Sequence, residues 1–217
     1  VFDGTDDHDI TGLSGPYTTS STDQWNGIVF NGFPVFNNGL ERPQIWDSLN
    51  TGTPVIDLPN WPTNDRAKLI RAFGAFMVAF NITRSGTRLP HLAKWSHPAN
   101  PGAVPSTWDE TDPDFDAGET DLPDVNSGEI LDALLLGDIM FVYKRSAIWK
   151  MRYVGGQDIF AFTPWLDDLG ILSTRCVVTD GSGTRHVVVT NDDIIIHNGS
   201  SVDSILSDRQ KVALFAD

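Results

Sequence analysis

The stretch from Gly137 to Gly156, GDIMFVYKRSAIWKMRYVGG, narrows what this chain can fold into more than any other. Ile139 to Tyr143 is a continuous apolar run and Lys144, Arg145 and Ser146 form a polar break. Beyond the break, Trp149, Met151 and Tyr153 alternate with Lys150 and Arg152. That pattern predicts a β-hairpin whose first strand is covered on both faces and whose second has one wet face. The same theme occurs upstream, from Ala75 to Trp95, and downstream, from Arg185 to Ile196. Three copies of one sheet-building unit predict stacked or radial sheets, and favour a scaffold over an enzyme.

Each copy is preceded by a run that can supply a further strand: Asn64 to Gly74, Ile130 to Leu136 and Leu172 to Val178. The first of these also fits a short helix capped by Asn64 and ended by Gly74, but its analogy with the other two favours a strand. The buried strands are expected to begin near Ala75, Ile139 and His186. The wider of the two intervals contains a long insertion at residues 96–127. Removing part of it brings the spacing toward the roughly 40–50 residues of a four-stranded propeller blade. The fold class is therefore all-β, with antiparallel four-stranded units arranged as a β-propeller or part of one; a β-sandwich with decorated loops stays open.

Residues 1–26 are rich in Gly, Ser, Thr and Asp and read as an irregular N-terminal arm with at most one short strand. Residues 27–63 read as a hairpin and a Pro-rich connection. Asn31 and Gly32 make the turn of the hairpin, because both tolerate the positive φ of a two-residue loop. Pro43, Pro54, Pro59 and Pro62 then carry the chain over a surface, with Trp46 and Trp61 as anchors. Residues 64–217 are the blades. Ser-Gly-Thr-Arg occurs twice, at residues 85–88 and 182–185, and reads as shared turn chemistry.

The 217 residues suffice for a substantial core. The chain starts at Val1, which suggests a processed or partial piece, and it has no signal-like or bilayer-length apolar segment, which suggests a soluble one. The single cysteine, Cys176, excludes an internal disulfide framework and is expected as a small buried thiol in a strand. A net charge of −14 argues against a sequence-reading nucleic-acid binder, which needs cations to neutralise phosphate. It does not exclude a wall past which DNA moves without sticking, since like charges repel over about 8–10 Å at physiological salt, but on composition alone an acidic surface that keeps the chain soluble is the favoured reading.

Between Lys94 and Lys144 no Lys or Arg occurs, while Asp109, Glu110, Asp112, Asp114, Asp116, Glu119, Asp121 and Asp124 accumulate. Asp112, Asp114 and Asp116 have the spacing of a calcium loop, but Ala117 stands where glycine would turn the chain and Pro123 where a glutamate would close the site. An exposed, like-charged loop is expected, without a metal. The five histidines show no metal-ligand spacing, and no nucleophile elbow, Walker loop or dinucleotide fingerprint is present. Neither catalytic nor cofactor-binding residues are assigned. Of the seven tryptophans, Trp95 and Trp108 bracket a Pro-rich segment, and Trp149 and Trp165 sit on or beside strands. These four, with Asp109, Asp112, Asp114 and Asp116, form the candidate interface and acidic loop, although one aromatic per sheet more often fills a core than faces a sugar or a partner.

The residues KWSHPANPGAVPSTWDETDPDFDAGETDL, from Lys94 to Leu122, together with Tyr143 to Gly156, resemble virion structural proteins of tailed bacteriophages. The type resembled is the tail tubular or nozzle protein of short-tailed phages. The segments from Asn26 to Gly32 and from Thr190 to Gly199 fit as well, so the likeness runs from about Trp25 to Leu206. It rests on turn and aromatic positions and transfers no catalytic motif. The resemblance implies a β-propeller-containing subunit in a ring, commonly of six copies, between an adaptor and fibres or spikes, with the genome leaving through the lumen. Nozzle proteins are usually longer, so the chain reads as a portion of one or as a smaller relative elsewhere in the tail. The expected function is thus a structural tail subunit in the virion; the alternative is a carbohydrate- or host-receptor-binding β domain, with a glycosidase third.

Overall fold

The computed structural model describes residues 1–13, 15–18, 25–48, 50–122 and 128–215. They form four antiparallel sheets of four strands, each made from a contiguous stretch with its strands in chain order, and one short helix. No helix among them is long and apolar enough to cross a membrane. The chain divides into two compact units, Val1–Asp121 and Leu122–Asp217, with two sheets in each.

In the first unit the described residues of the N-terminal arm are irregular, with an isolated bridge between Phe2 and Asp7. Residues 14 and 19–24 of the arm lie outside the described set. β1 (Asn26–Phe30) and β2 (Phe33–Asn37) make the hairpin expected from Asn31 and Gly32, whose φ angles of 49° and 93° give the doubly left-handed turn that matches strand twist. The rest of residues 27–63 departs from expectation. Instead of a Pro-rich connection, β3 (Gln44–Ile45) pairs with Val35 and Phe36, and β4 (Ile56–Asp57) pairs with β3, completing a sheet. Two-residue strands bounded by Pro43 and Pro54 are too short to show alternation, which hid them. Trp61 is buried as an anchor, whereas Trp46 is half-buried and donates from its indole to the Thr53 carbonyl.

The second sheet comprises β5 (Asp65–Phe73), β6 (Phe76–Arg84), β7 (Thr87–Trp95) and β8 (Gly118–Asp121). The segment that could have been helical is β5, paired along its length with β6. Strand pairing wins because β6 is buried from Phe76 to Ile82 and must bury its backbone groups in ladders on both sides. Residues 96–127 are only partly an insertion: β8, inside them, closes the sheet against Leu92 to Trp95. Its sequence, GETD, carries no apolar period that could have announced it.

In the second unit, β9 (Ile130–Leu136), β10 (Ile139–Lys144), β11 (Ala147–Gly155) and β12 (Ile159–Asp167) make the third sheet, with β9 and β10 starting where the apolar runs start. β10 is buried from Met140 to Lys144, as expected of a strand covered on both faces. Alternation along β11 fades at its end, where Tyr153 is 56 % and Val154 54 % exposed. The fourth sheet has β13 (Val177–Thr179), β14 (His186–Val189), β15 (Ile194–His197) and β16 (Val202–Ser204), followed by α1 (Asp208–Phe215), none of whose residues is buried. Cys176 precedes β13 and is half-buried rather than enclosed in a strand. The two Ser-Gly-Thr-Arg copies build different turns. Ser85 and Gly86 form a tight two-residue link, whereas Ser182 to Arg185 wrap around the Asp180 carboxylate. What they share is a left-handed glycine.

Each unit has its own core. Phe30, Val35, Ile45, Trp61, Ile70, Met77 and Trp108 meet in the first, and Leu131, Phe141, Tyr143, Ile148, Val188 and Ile195 in the second. At roughly 1.5–3 kcal/mol per fully buried large apolar side chain, these clusters dominate the stability of their units.

Candidate functional site

The acidic stretch is tied down by two buried or half-buried cations. Cross-strand register places Asp65 opposite Arg84 and Lys94 opposite Glu119. Arg84 forks two carboxylates, donating to Asp65 Oδ2 at 3.1 Å and to Glu119 Oε2 at 2.6 Å. Lys94, 1 % exposed, donates to Glu119 Oε2 at 3.3 Å and to Glu110, which the loop between β7 and β8 carries. Burial pushes the Glu119 carboxyl up, but the Arg84 and Lys94 cations more than offset that and hold it below the ordinary range. Arg84 is held above its ordinary value by its bonds to Glu119 and Asp65. A cavity of about 380 Å³ adjoins the cluster, lined by Asn60, Asp65, Arg84, Lys94, Trp108 and Glu110 among others. Both cations are engaged by carboxylates of this chain, and together these pairs latch the loop to the sheet.

A second polar constellation lies inside the second unit. Tyr143 on β10 is wholly buried, and its hydroxyl is 2.7 Å from His186 Nδ1 and 2.7 Å from His197 Nε2. His186 and His197 are register partners on β14 and β15, so one strand pair brings both rings to one phenol. His186 Nε2 lies 3.2 Å from the Leu135 carbonyl, and His197 Nδ1 lies 3.3 Å from the Gly199 N–H. Phe141 and Trp165 wall the His197 ring at centroid distances of 4.9 Å each, and Lys150 caps Trp165 while donating to the Gly199 carbonyl. Burial, with the His186 and Lys150 charges adding, pushes His197 down to about 4; burial likewise lowers His186 and raises the Tyr143 phenol.

The candidate interface residues are dispersed by this arrangement. Trp95 and Trp108 are core residues rather than surface aromatics, at 6 % and 1 % exposure. Trp108 packs edge-to-face on Trp61 with centroids 4.7 Å apart, and Trp95 donates from its indole to the Asp116 carbonyl. Burying their large apolar area outweighs displaying it. Asp109, Asp114 and Asp116 are exposed and Asp112 half-exposed. Asp109 and Asp112 accept from the N–H groups of Thr111 and Asp114, the local turns their side chains favour. Among the described residues no group of three His, Cys, Asp or Glu is placed to hold a metal; Asp124 lies outside them. Trp149 and Trp165 are half-buried on β11 and β12. Sequence reasoning missed both polar clusters. A signal existed for one: a hairpin symmetric about Asn191 and Asp192 sets His186 opposite His197.

No protein-family model matches the chain, and no curated protein does. Among solved structures it is similar to the extracellular domain of a one-component system of B. thetaiotaomicron, at 11 % identity and a TM-score of 0.38, over 85 % of this chain and 28 % of that one. The chain thus spans under a third of that protein's length.

Proposed function

We propose that the chain is a wall-forming structural subunit of a bacteriophage tail, of the tubular or nozzle type, whose work in the virion is mechanical. The observation that carries this reading is the succession of four contiguous antiparallel four-stranded sheets, the unit from which propeller walls are built. The segments that resemble tail proteins are also the ones that matter to each unit. Lys94 to Leu122 holds Lys94, Glu110 and Glu119 of the ion-pair latch together with the closing strand, and Tyr143 to Gly156 contains most of the central hairpin of the third sheet. In this role the subunit assembles with copies of itself into a ring, commonly of six, contacting an adaptor on one side and fibres or spikes on another. Laddered sheets supply stiffness. The exposed carboxylates of Asp109, Asp114 and Asp116, within a net charge of −14, keep passing DNA from adhering.

A saccharide-stacking role would need its aromatics at the surface, and burial of Trp95 and Trp108 weighs against it. The test is mass photometry and negative-stain imaging of the purified chain and of the longest natural protein that contains it, with antibody labelling of intact particles. Rings, and label at the tail, are expected. A persistent monomer whose antibody leaves particles bare, with tryptophan fluorescence quenched by saccharide, would replace this reading by the receptor-binding one.

A further inference from the structure

The Tyr143, His186 and His197 network admits one arrangement of its protons. At one end the partner is the Leu135 carbonyl, which only accepts, so His186 Nε2 carries a hydrogen and its Nδ1 is bare. At the other end the partner is the Gly199 N–H, which only donates, so His197 Nδ1 is bare and its Nε2 carries the hydrogen. The phenol then accepts from His197 Nε2–H and donates to His186 Nδ1, and no polar atom of the three side chains is left over. All three residues are at most 1 % exposed.

An added proton has no place in this chain of bonds. On His197 Nδ1 it would face the Gly199 N–H. On His186 Nδ1 it would face the phenol oxygen, which already receives His197 Nε2–H and whose own hydrogen would lose its acceptor. The charged groups around the network do not relieve this. Lys150 on β11 repels a charge on His197, and each ring repels a charge on the other. Asp180, in the turn before β14, favours a charge on His186 but is itself engaged by Ser182 and Arg185. Asp132 on β9 is spent on the N–H groups of Ala133 and Arg175, and Lys144, next to Tyr143, donates to the Leu122 carbonyl.

We infer that this network is an acid-sensitive clamp between the third and fourth sheets: with both imidazoles neutral it joins β10 to the β14–β15 hairpin, and protonation of either imidazole releases the fourth sheet. The sign follows from the folded state holding His197 near 4, below the roughly 6.5 of an unfolded histidine. The contribution is complete above pH ~6.5 and is lost as pH falls from there toward 4. For His197 alone the opening equilibrium grows roughly 20-fold between neutral pH and pH ~5, and His186 adds in the same direction.

Hydrogen exchange of the full chain at pH 7.5 and 5.0, corrected for intrinsic rates, tests the clamp together with nitrogen-15 spectra of the imidazoles. Expected are Nε2–H tautomers for both rings at neutral pH, and a loss of protection of at least tenfold at pH 5.0 in β14 and β15 that exceeds any loss in β5 to β7. His197→Gln, which keeps a donor toward the phenol but does not titrate, should shrink that loss. Unchanged protection at pH 5.0, equal loss in β5 to β7, or either ring titrating near 6.5 with the fourth sheet still protected would overturn the inference. The wild-type measurements decide even where the variant fails to fold.

Discussion

Replacing Lys94 by Met removes the ammonium from the latch while keeping most of the apolar stem. Lys94 is 1 % exposed, and it is the close cation for Glu110, whose other contact is Arg84 at 3.9 Å. Glu119 keeps Arg84 at 2.6 Å, so the substitution strands one carboxylate rather than two. Removing one partner of a buried pair costs about 3–5 kcal/mol. Glu110 and Glu119 retain 28 % and 22 % side-chain exposure, which lets water relieve part of the charge and sets the loss at the lower end, about 3 kcal/mol. For a unit of this size that is a fall in melting temperature of about 10 °C. Thermal and urea unfolding of Lys94→Met, Glu110→Gln and the double variant form the cycle. Because the double variant no longer holds the stranded charge, it should recover at least about 1 kcal/mol relative to the sum of the single changes. A cost below about 1 kcal/mol for Lys94→Met, or strict additivity, would refute the view that the latch holds the acidic loop.

Gly170→Ala tests the packing of the loop between the third and fourth sheets. An added Cβ would lie 2.3 Å from the Lys144 carbonyl oxygen and 2.4 Å from the Arg145 carbonyl carbon, backbone atoms that cannot rotate away, so a loss of about 1–3 kcal/mol is expected in chemical denaturation. The β14–β15 hairpin should lose protection with it. Changing Asp112, Asp114 and Asp116 together to Asn should leave stability within about 0.5 kcal/mol per site, since all three reach solvent. A calcium-dependent rise in the wild-type melting temperature that the triple variant abolishes would show a metal loop instead.

The sequence by itself determined where several of the long strands lie. Ile130–Leu136, Ile139–Lys144 and the hairpin about Asn31 and Gly32 were legible because their signals are local: an apolar run, a polar break, and a turn residue that tolerates positive φ. It also marked the acidic stretch and its lack of nearby Lys or Arg. What only the tertiary structure decided is everything that depends on pairing between distant segments. β3, β4 and β8 are too short to carry a period and exist because a neighbouring ladder had open hydrogen-bonding groups. The partners of Glu110 and Glu119, and the seating of two imidazoles on one phenol, were set by cross-strand register. The physical reason is that alternation tells a side chain which face it occupies, while register and sheet packing choose which residue of another strand it meets there.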